Sequence, residues 1–207
     1  MLEAHLLACV RGDRLLFRDL SFRVEPGSIL WVSGSNGCGK TSLLRLLCGL
    51  SRPDAGEVRW NGADIRSERE DFQSHMAYLG HLNALKDDLS PEENLGFAVN
   101  GLHAAAAIAQ QLRTRGLEAC LDLPTRVLSQ GQKRRVALTR MALSGERKLW
   151  ILDEPFAALD GAAIEDLAQL LMGHVRAGAM VVLTSHQEVS LTNVPVQRLR
   201  MTPQTVA

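Results

Sequence analysis

No apolar run in this 207-residue chain approaches the ~20 residues that span a bilayer, so a role at a membrane requires a partner chain. Charge is not in excess of either sign. The 23 Lys and Arg balance 23 Asp and Glu, which removes a general polyanion binder. The four cysteines, Cys9, Cys38, Cys48 and Cys120, form no C-x-x-C pair. That spacing excludes a disulfide framework, a paired-cysteine zinc site and a c-type haem attachment, and leaves reduced thiols as the expectation. The N-terminus carries Glu3 and lacks a basic-then-apolar signal layout, which argues for retention in the cytoplasm. There are no heptads, internal repeats or long linkers. The chain ends soon after His186, so no accessory regulatory domain is expected. Its length fits one domain with a subdomain.

What is present is specific. Gly34-Ser35-Asn36-Gly37-Cys38-Gly39-Lys40-Thr41 matches the phosphate-loop pattern G-x-x-x-x-G-K-[ST] in full. It follows the apolar run Ile29-Leu30-Trp31-Val32 and precedes the helix-like Ser42-Leu43-Leu44-Arg45-Leu46-Leu47, the context the motif requires. Glycines let backbone N–H groups approach a polyphosphate, and a new helix N-terminus adds partial positive charge. Lys40 is placed to reach the β- and γ-phosphates, and Thr41 to hold Mg²⁺. The competing reading is a glycine-rich turn with a solvated lysine.

Lys148-Leu149-Trp150-Ile151-Leu152-Asp153-Glu154-Pro155 reads as a buried parallel strand ending in two carboxylates. Functional groups of open α/β sheets gather at such ends. Asp153 can bind the hydration shell of Mg²⁺, and Glu154 can orient or deprotonate a water. Taken alone, the pair fits a strand end meeting a helix N-cap equally well. Between the two motifs lies Leu128-Ser129-Gln130-Gly131-Gln132. Downstream come Ala158-Leu159-Asp160 and, after Met180-Val181-Val182-Leu183, Thr184-Ser185-His186.

These five elements, in this order, resemble the ATP-binding cassette (ABC) ATPases over essentially the whole chain. The resemblance implies an α/β fold. Its phosphate-loop NTPase core would have a mainly parallel sheet, an antiparallel β portion and a small helical subdomain at about 82–143, all in one domain over 1–207. It implies ATP and Mg²⁺ as cofactors, with Gly34, Ser35, Asn36, Gly37, Cys38, Gly39, Lys40, Thr41 and Ser42 around the phosphates. Thr41 and Asp153 would serve the metal, Glu154 would be the general base, and His186 would contact the γ-phosphate. It implies two cassettes sandwiching two nucleotides. Ser129, Gly131 and Gln132 of the signature would then face the partner's phosphate loop, and Asp160 would link the two sites. Cys38 fits as a small side chain tolerated at a variable motif position.

Two positions depart from the family. Upstream of the phosphate loop, where many cassettes stack an aromatic on adenine, stands Arg11. A guanidinium plane also stacks on a purine; a solvated loop arginine is the equal alternative. The glutamine that usually ends a short strand such as Met76-Ala77-Tyr78-Leu79 is replaced by His81. An imidazole can bond a Mg²⁺-bound water and titrates nearer neutral pH than an amide; a loop histidine with no catalytic part accounts for it as well.

The finer resemblance is to ATPase subunits of bacterial cytochrome c maturation. It rests on the short chain, Gly49-Leu50-Ser51-Arg52-Pro53-Asp54-Ala55-Gly56-Glu57-Val58, Gly80-His81 and Leu149-Trp150-Ile151-Leu152-Asp153-Glu154-Pro155-Phe156. It implies integral membrane permease subunits, a peripheral place on the cytoplasmic face of the inner membrane, and an indirect link to a periplasmic haem chaperone. No haem-ligand motif is visible, so direct contact with haem is not expected. An exporter of another substrate is the alternative. A soluble cassette protein acting on DNA or ribosomes would show coiled-coil arms or two cassettes. A GTPase would need [NT]-K-x-D, and Leu85-Lys86-Asp87-Asp88 lacks the leading residue. The basic run Lys133-Arg134-Arg135 reads as a solvated helix face and not as a nucleic-acid contact.

Strand-like runs are Leu20 to Val24, Ile29 to Ser33, Glu57 to Trp60 and Val196 to Met201. Pro26-Gly27 and Asn61-Gly62 mark turns. Ser90-Pro91-Glu92-Glu93 reads as an N-cap, a proline at N1 and a charged first turn, and Ala104 to Arg115 as helix.

Overall fold

The structure is a computed structural model that describes residues 1–97 and 104–202. Strands β1 (Leu2–Arg11) and β2 (Arg14–Val24) form a long hairpin. Strands β4 (Ala55–Trp60) and β5 (Ala63–Asp64) complete an antiparallel sheet of order β2-β1-β4-β5. Asn61 and Gly62 join the last two with φ of 51° and 89°, the two positive values a type I′ hairpin needs. The sequence patterns missed β1 and the first half of β2. Register shifts after Ala4, Leu7 and Cys9 break the two-residue alternation on which a strand is recognised. The bulge leaves Leu6 with φ 46° and 61% exposed. Gly56 crosses it so closely that a Cβ there would lie 2.2 Å from the carbonyl oxygen of His5.

The second sheet is wholly parallel, in the order β6 (Met76–Leu79), β7 (Leu149–Leu152), β8 (Met180–Thr184), β3 (Ile29–Gly34), β9 (Val196–Met201). Both faces are covered, which is why its strands read as unbroken apolar runs. Leu30, Val32, Leu149 and Ile151 pack toward the antiparallel sheet and α1 (Lys40–Leu47). Ile29, Trp31, Trp150 and Leu152 pack toward α5 (Gln130–Ala142) and α6 (Gly161–Arg176). Helix α1 lies in the first of these layers. Leu43, Leu44, Leu46 and Leu47 are all buried there, each worth about 1.5–3 kcal/mol relative to exposure.

A separate apolar cluster joins Leu95 of α3 (Pro91–Gly96), Ile108 and Leu112 of α4 (Ala104–Thr114) and Val136 of α5. Ser90 caps α3 in a reciprocal capping box with Glu93, and Pro91 opens the helix, as expected. No strand occurs among the described residues between β6 and β7. Helix α2 (Arg69–His75) was not foreseen; it buries only Phe72, so its sequence carries no helical apolar stripe.

His174 stacks on Trp150 at 3.7 Å, and its Nε2 has no hydrogen-bond partner. Burial pushes its pKa down to about 4. The unfolded chain therefore binds a proton that the folded chain does not between about pH 6.5 and 4. Stability rises with pH across this window and is lost on acidification through it. The nearby helix C-terminus favours the charged form by less than burial opposes it. We expect His174→Phe to remove about 1–2 kcal/mol of the acid-induced loss over that window, a figure reduced for partial solvation. Urea titrations of both proteins at pH 7 and pH 4.5 measure it.

Candidate active site

The C-terminal ends of β3, β8 and β7 lie side by side because these strands are neighbours in the sheet. Each end delivers one part of the site: the loop from Gly34 to Thr41, then Thr184 to His186, then Asp153 and Glu154. Asp153 is 1% exposed. Its Oδ2 accepts from the Thr41 hydroxyl at 2.8 Å, and its Oδ1 accepts from the Thr184 hydroxyl at 2.7 Å. Its own N–H donates to the Leu79 carbonyl at 2.7 Å.

Lys40 is buried, and its ammonium donates to the carbonyls of Gly34 at 2.8 Å and Ser35 at 3.4 Å. It also lies 3.2 Å from His186 Nε2. An ammonium only donates, so this ring nitrogen accepts. The His186 N–H donates to Glu154 Oε2 at 3.2 Å. Glu154 Oε1 is buried without a hydrogen-bond partner. The nearest basic group is His186, whose Nε2 stands 3.5 Å away, and the oxygen is open to a further donor such as a water.

Glu154 has φ 48°, a left-handed value that costs about 1–3 kcal/mol for a residue with a side chain. Both sides of the residue are held. Its N–H donates to the Thr184 hydroxyl at 2.8 Å, and its carbonyl accepts from Arg134 at 2.7 Å. The strain therefore fixes where the carboxylate points.

Helix α1 begins at Gly39, φ 102°, with no side-chain cap and no acidic residue in its first turn. A Cβ at Gly39 would press on Leu16 and Phe17 at 3.2–3.3 Å, so the loop lies tight on β2. The unpaired N–H groups of the first turn face a cleft of about 640 Å³, whose walls include Gly37, Lys40, Thr41, Ser42, Glu154 and His186. Asp153, Asn36 and His81 also line it. Free backbone donors, a lysine and a threonine hydroxyl suit a polyphosphate. One carboxylate and one hydroxyl, with phosphate oxygens and water, suit Mg²⁺.

The signature segment stands elsewhere. Ser129 caps α5: its Oγ accepts from the Gln132 N–H at 3.2 Å, and Gln132 Oε1 accepts from the Ser129 N–H at 2.8 Å. Gln132 also reaches Cys120 Sγ at 3.2 Å. Gly131 lies against the next loop, where a Cβ would come 2.8 Å from the Ala158 carbonyl. Asp160 caps α6 through the Ala163 N–H at 2.9 Å. None of Ser129, Gly131, Gln132 and Asp160 is among the residues lining the 640 Å³ cleft.

The family model of ABC transporters matches residues 17–157. The chain belongs to the ABC transporter ATP-binding family. As a member it binds nucleotide and is an ATPase. It is 55% identical to the cytochrome c biogenesis ATP-binding export protein CcmA of Aromatoleum aromaticum, over 91% of this chain and 89% of that protein. It is 48% identical to the protein of the same name from Dechloromonas aromatica, over 97% and 100%. Among solved structures, it is similar to an ATP-binding subunit of an ABC transporter, with TM-score 0.79 and 28% identity over 89% of this chain and 79% of that one. The expected ABC fold, a parallel core sheet with an antiparallel portion, is borne out.

Sequence reasoning about this ABC ATPase overlooked three residues. In sequence Thr184 is only the neighbour of His186, yet its hydroxyl holds Asp153 and Glu154 together. The run Lys133-Arg134-Arg135 suggests a solvated face, yet Arg134 is 3% exposed. Burial pulls its pKa below the usual arginine value, and Asp153 and Glu154 oppose that shift. Leu16 lines the cleft from the β1–β2 hairpin. Arg11 ends β1 opposite Arg14 and is exposed. Arg14 is the nearer of the two to Gly37, within 3.6 Å of where a Cβ would stand. The Cys38 side chain is fully buried in the core beneath Gly34, away from the cleft wall.

Replacing Thr184 by Val keeps the shape but removes both hydroxyl bonds. We expect a loss of about 1–3 kcal/mol, since the Glu154 N–H and one Asp153 oxygen are left unpaired in a buried site. The midpoint of urea denaturation measures this. An unchanged midpoint would show that water replaces the hydroxyl.

Proposed function

We propose that this chain is the ATP-hydrolysing subunit of an export complex serving cytochrome c biogenesis, peripheral to the cytoplasmic face of a bacterial inner membrane. The observation that carries the reading is the convergence of Lys40, Thr41, Asp153, Glu154 and His186 on one cleft. The names of its relatives at 44–55% identity supply the pathway. Direct contact with haem is not part of the proposal, and a periplasmic haem chaperone is served only through the membrane subunits.

In this reading the loop Gly34 to Ser42 cradles the phosphates of ATP. Thr41 and Asp153 would hold Mg²⁺, and His81, which lines the same cleft, would bond a water on it. Without a cation, Lys40 stands against two carboxylates in the same cleft, so a polyphosphate would meet uncompensated negative charge. Mg²⁺, when bound, neutralises that charge. Glu154 takes the proton of the attacking water, for which its unpartnered Oε1 is suited. His186 positions that water and the terminal phosphate. Catalysis is mainly placement and charge stabilisation.

Two copies would close over two nucleotides. The Ser129 hydroxyl proton and the Gly131 N–H at the start of α5 are the donors offered to the partner's nucleotide, and Asp160 links the sites. Arg11 is kept as a candidate for stacking on the base. The helices between about 82 and 143 are read as the subdomain that carries the signature. Glu154→Gln keeps the shape and removes the base. It should lower turnover at least ~100-fold, keep ATP affinity, and accumulate an ATP-dependent dimer. Turnover and sedimentation are measured together; near-normal turnover would sink the assignment of Glu154.

The docking surface for the membrane subunits is proposed to lie around residues 79 to 89. A cleft of about 460 Å³ there is lined by Gly80, His81, Leu82 and Ala84, and it shares Tyr78 and Arg140 with an adjoining cleft of about 400 Å³ that Leu50 lines. Leu50 and Leu82 stand 52% and 80% exposed at their rims. Among the described residues no helix is long and apolar enough to cross a membrane. The chain expressed with its membrane subunits should sediment with membranes in high salt. Leu50→Asp combined with Leu82→Asp should release most of it while leaving nucleotide affinity unchanged. Equal retention of the double variant places the docking surface elsewhere.

A further inference from the structure

Arg134 lies five residues beyond Ser129 on the same helix, α5. Its guanidinium makes five hydrogen bonds, matching its five N–H donors. Nε donates to the Pro155 carbonyl at 3.4 Å. Nη1 donates to the Gly80 carbonyl at 3.2 Å and to Asn83 Oδ1 at 3.0 Å. Nη2 donates to the carbonyls of Asp153 at 2.8 Å and Glu154 at 2.7 Å. One side chain thus joins the signature helix, the loop after β6 and the strand end that carries the candidate base.

We propose that Arg134 is a positioning residue. It holds Glu154 in its left-handed conformation and carries movement of α5 to it, so that engagement of Ser129 and Gly131 at one nucleotide sets the glutamate that acts at the other. The coupling half rests on the paired-cassette reading above. Glu154 has two anchors. Thr184 belongs to β8 and is fixed within the parallel sheet. Arg134 belongs to a helix packed on the sheet's outer face and shared with the α3–α4 cluster. Of the two, only the arginine can shift without breaking the sheet. Ser129 starts the same rigid helix, and its hydroxyl proton is free to donate because its oxygen accepts the capping bond. A lysine cannot substitute, since three donors on one tetrahedral nitrogen do not span five acceptors on a planar fork.

The test uses the full chain co-expressed with its membrane subunits, carrying Arg134→Gln, Arg134→Lys, Glu154→Gln or Arg134→Gln with Glu154→Gln. A fluorescent ATP analogue should bind Arg134→Gln within about twofold of wild type, while saturated turnover falls at least ~tenfold with KM little changed. Arg134→Lys should recover a minor part of the turnover. In the Glu154→Gln background, Arg134→Gln should cause no further loss, because both act through one group. The Hill coefficient for ATP should fall toward one. In the nucleotide-free chain, hydrogen exchange at residues 154–157 and 80–83 should quicken, while β3 stays protected.

Multiplicative losses in the double variant, or unchanged exchange at 154–157, overturn the positioning role. A wild-type Hill coefficient of one, with no ATP-dependent dimer, overturns the paired-cassette reading and the coupling half with it; exchange and the double variant still decide the positioning half. If Arg134→Gln does not fold, Asn83→Ala removes one of the five partners. It should give the same pattern at smaller scale, and wild-type exchange and turnover in that variant overturn the proposal.

Discussion

A carboxylate removed from water must be hydrogen-bonded on both oxygens, and Asp153 imposes that requirement on the rest of the molecule. Its two partners come from different elements, Thr41 at the start of α1 and Thr184 at the end of β8. Its backbone N–H goes to a third, the end of β6. The side chain therefore ties the phosphate loop to the histidine loop, and the backbone of the same residue holds the end of β6 to that point. The parallel order β6-β7-β8-β3 is what makes this possible, since it sets the four strand ends side by side. Glu154, the next residue, inherits a fixed position from the same geometry. Its unfavourable φ is maintained by neighbours whose own places Asp153 has already set.

The parallel core was legible because strands buried on both faces leave continuous apolar runs, and the loops that follow them carry motifs of fixed spacing. The antiparallel sheet was less so. Strands β1 and β2 carry bulges, and each bulge moves the following residues to the opposite face. A period-2 search then loses phase within a few residues. Leu6 is exposed where alternation would bury it, and the neighbouring Leu7 is fully buried. Helix α2, between β5 and β6, is charged and buries only Phe72, so its own pattern does not mark it as a helix.

The run Lys133-Arg134-Arg135 shows a different limit. Three like charges in sequence suggest one solvated face. On a helix, successive side chains point about 100° apart, so neighbours in sequence are never neighbours on a face. Lys133 reaches outward to Asp87, Arg134 turns into the core, and Arg135 lies between, donating to the Arg115 carbonyl. The clue was available in the acceptors. A strand end with an irregular, left-handed turn leaves backbone carbonyls that no ladder can satisfy, and a buried arginine is the side chain best able to collect several of them at once. That clue required knowing that Glu154 turns left-handed, which nothing in its sequence announces, since only glycine takes such a turn at little steric cost.

Helix α1 starts without the side-chain cap that α3, α5 and α6 carry. Helices α3, α5 and α6 begin with Ser90, Ser129 and Asp160, and each of these accepts from a backbone N–H of its own first turn. Helix α1 begins with Gly39 and has no such acceptor. A glycine cap costs about a few tenths of a kcal/mol relative to Ser or Asp, so in isolation this is a small defect. It is tolerated because α1 is held by four buried leucines, which contribute several times that amount. The packing of α1 between the two sheets therefore releases its N-terminus from the need for an internal cap. The same donors are then available to an anion that the chain itself does not contain. Buried apolar surface on one end of an eight-residue helix thus sets the condition for binding at the other.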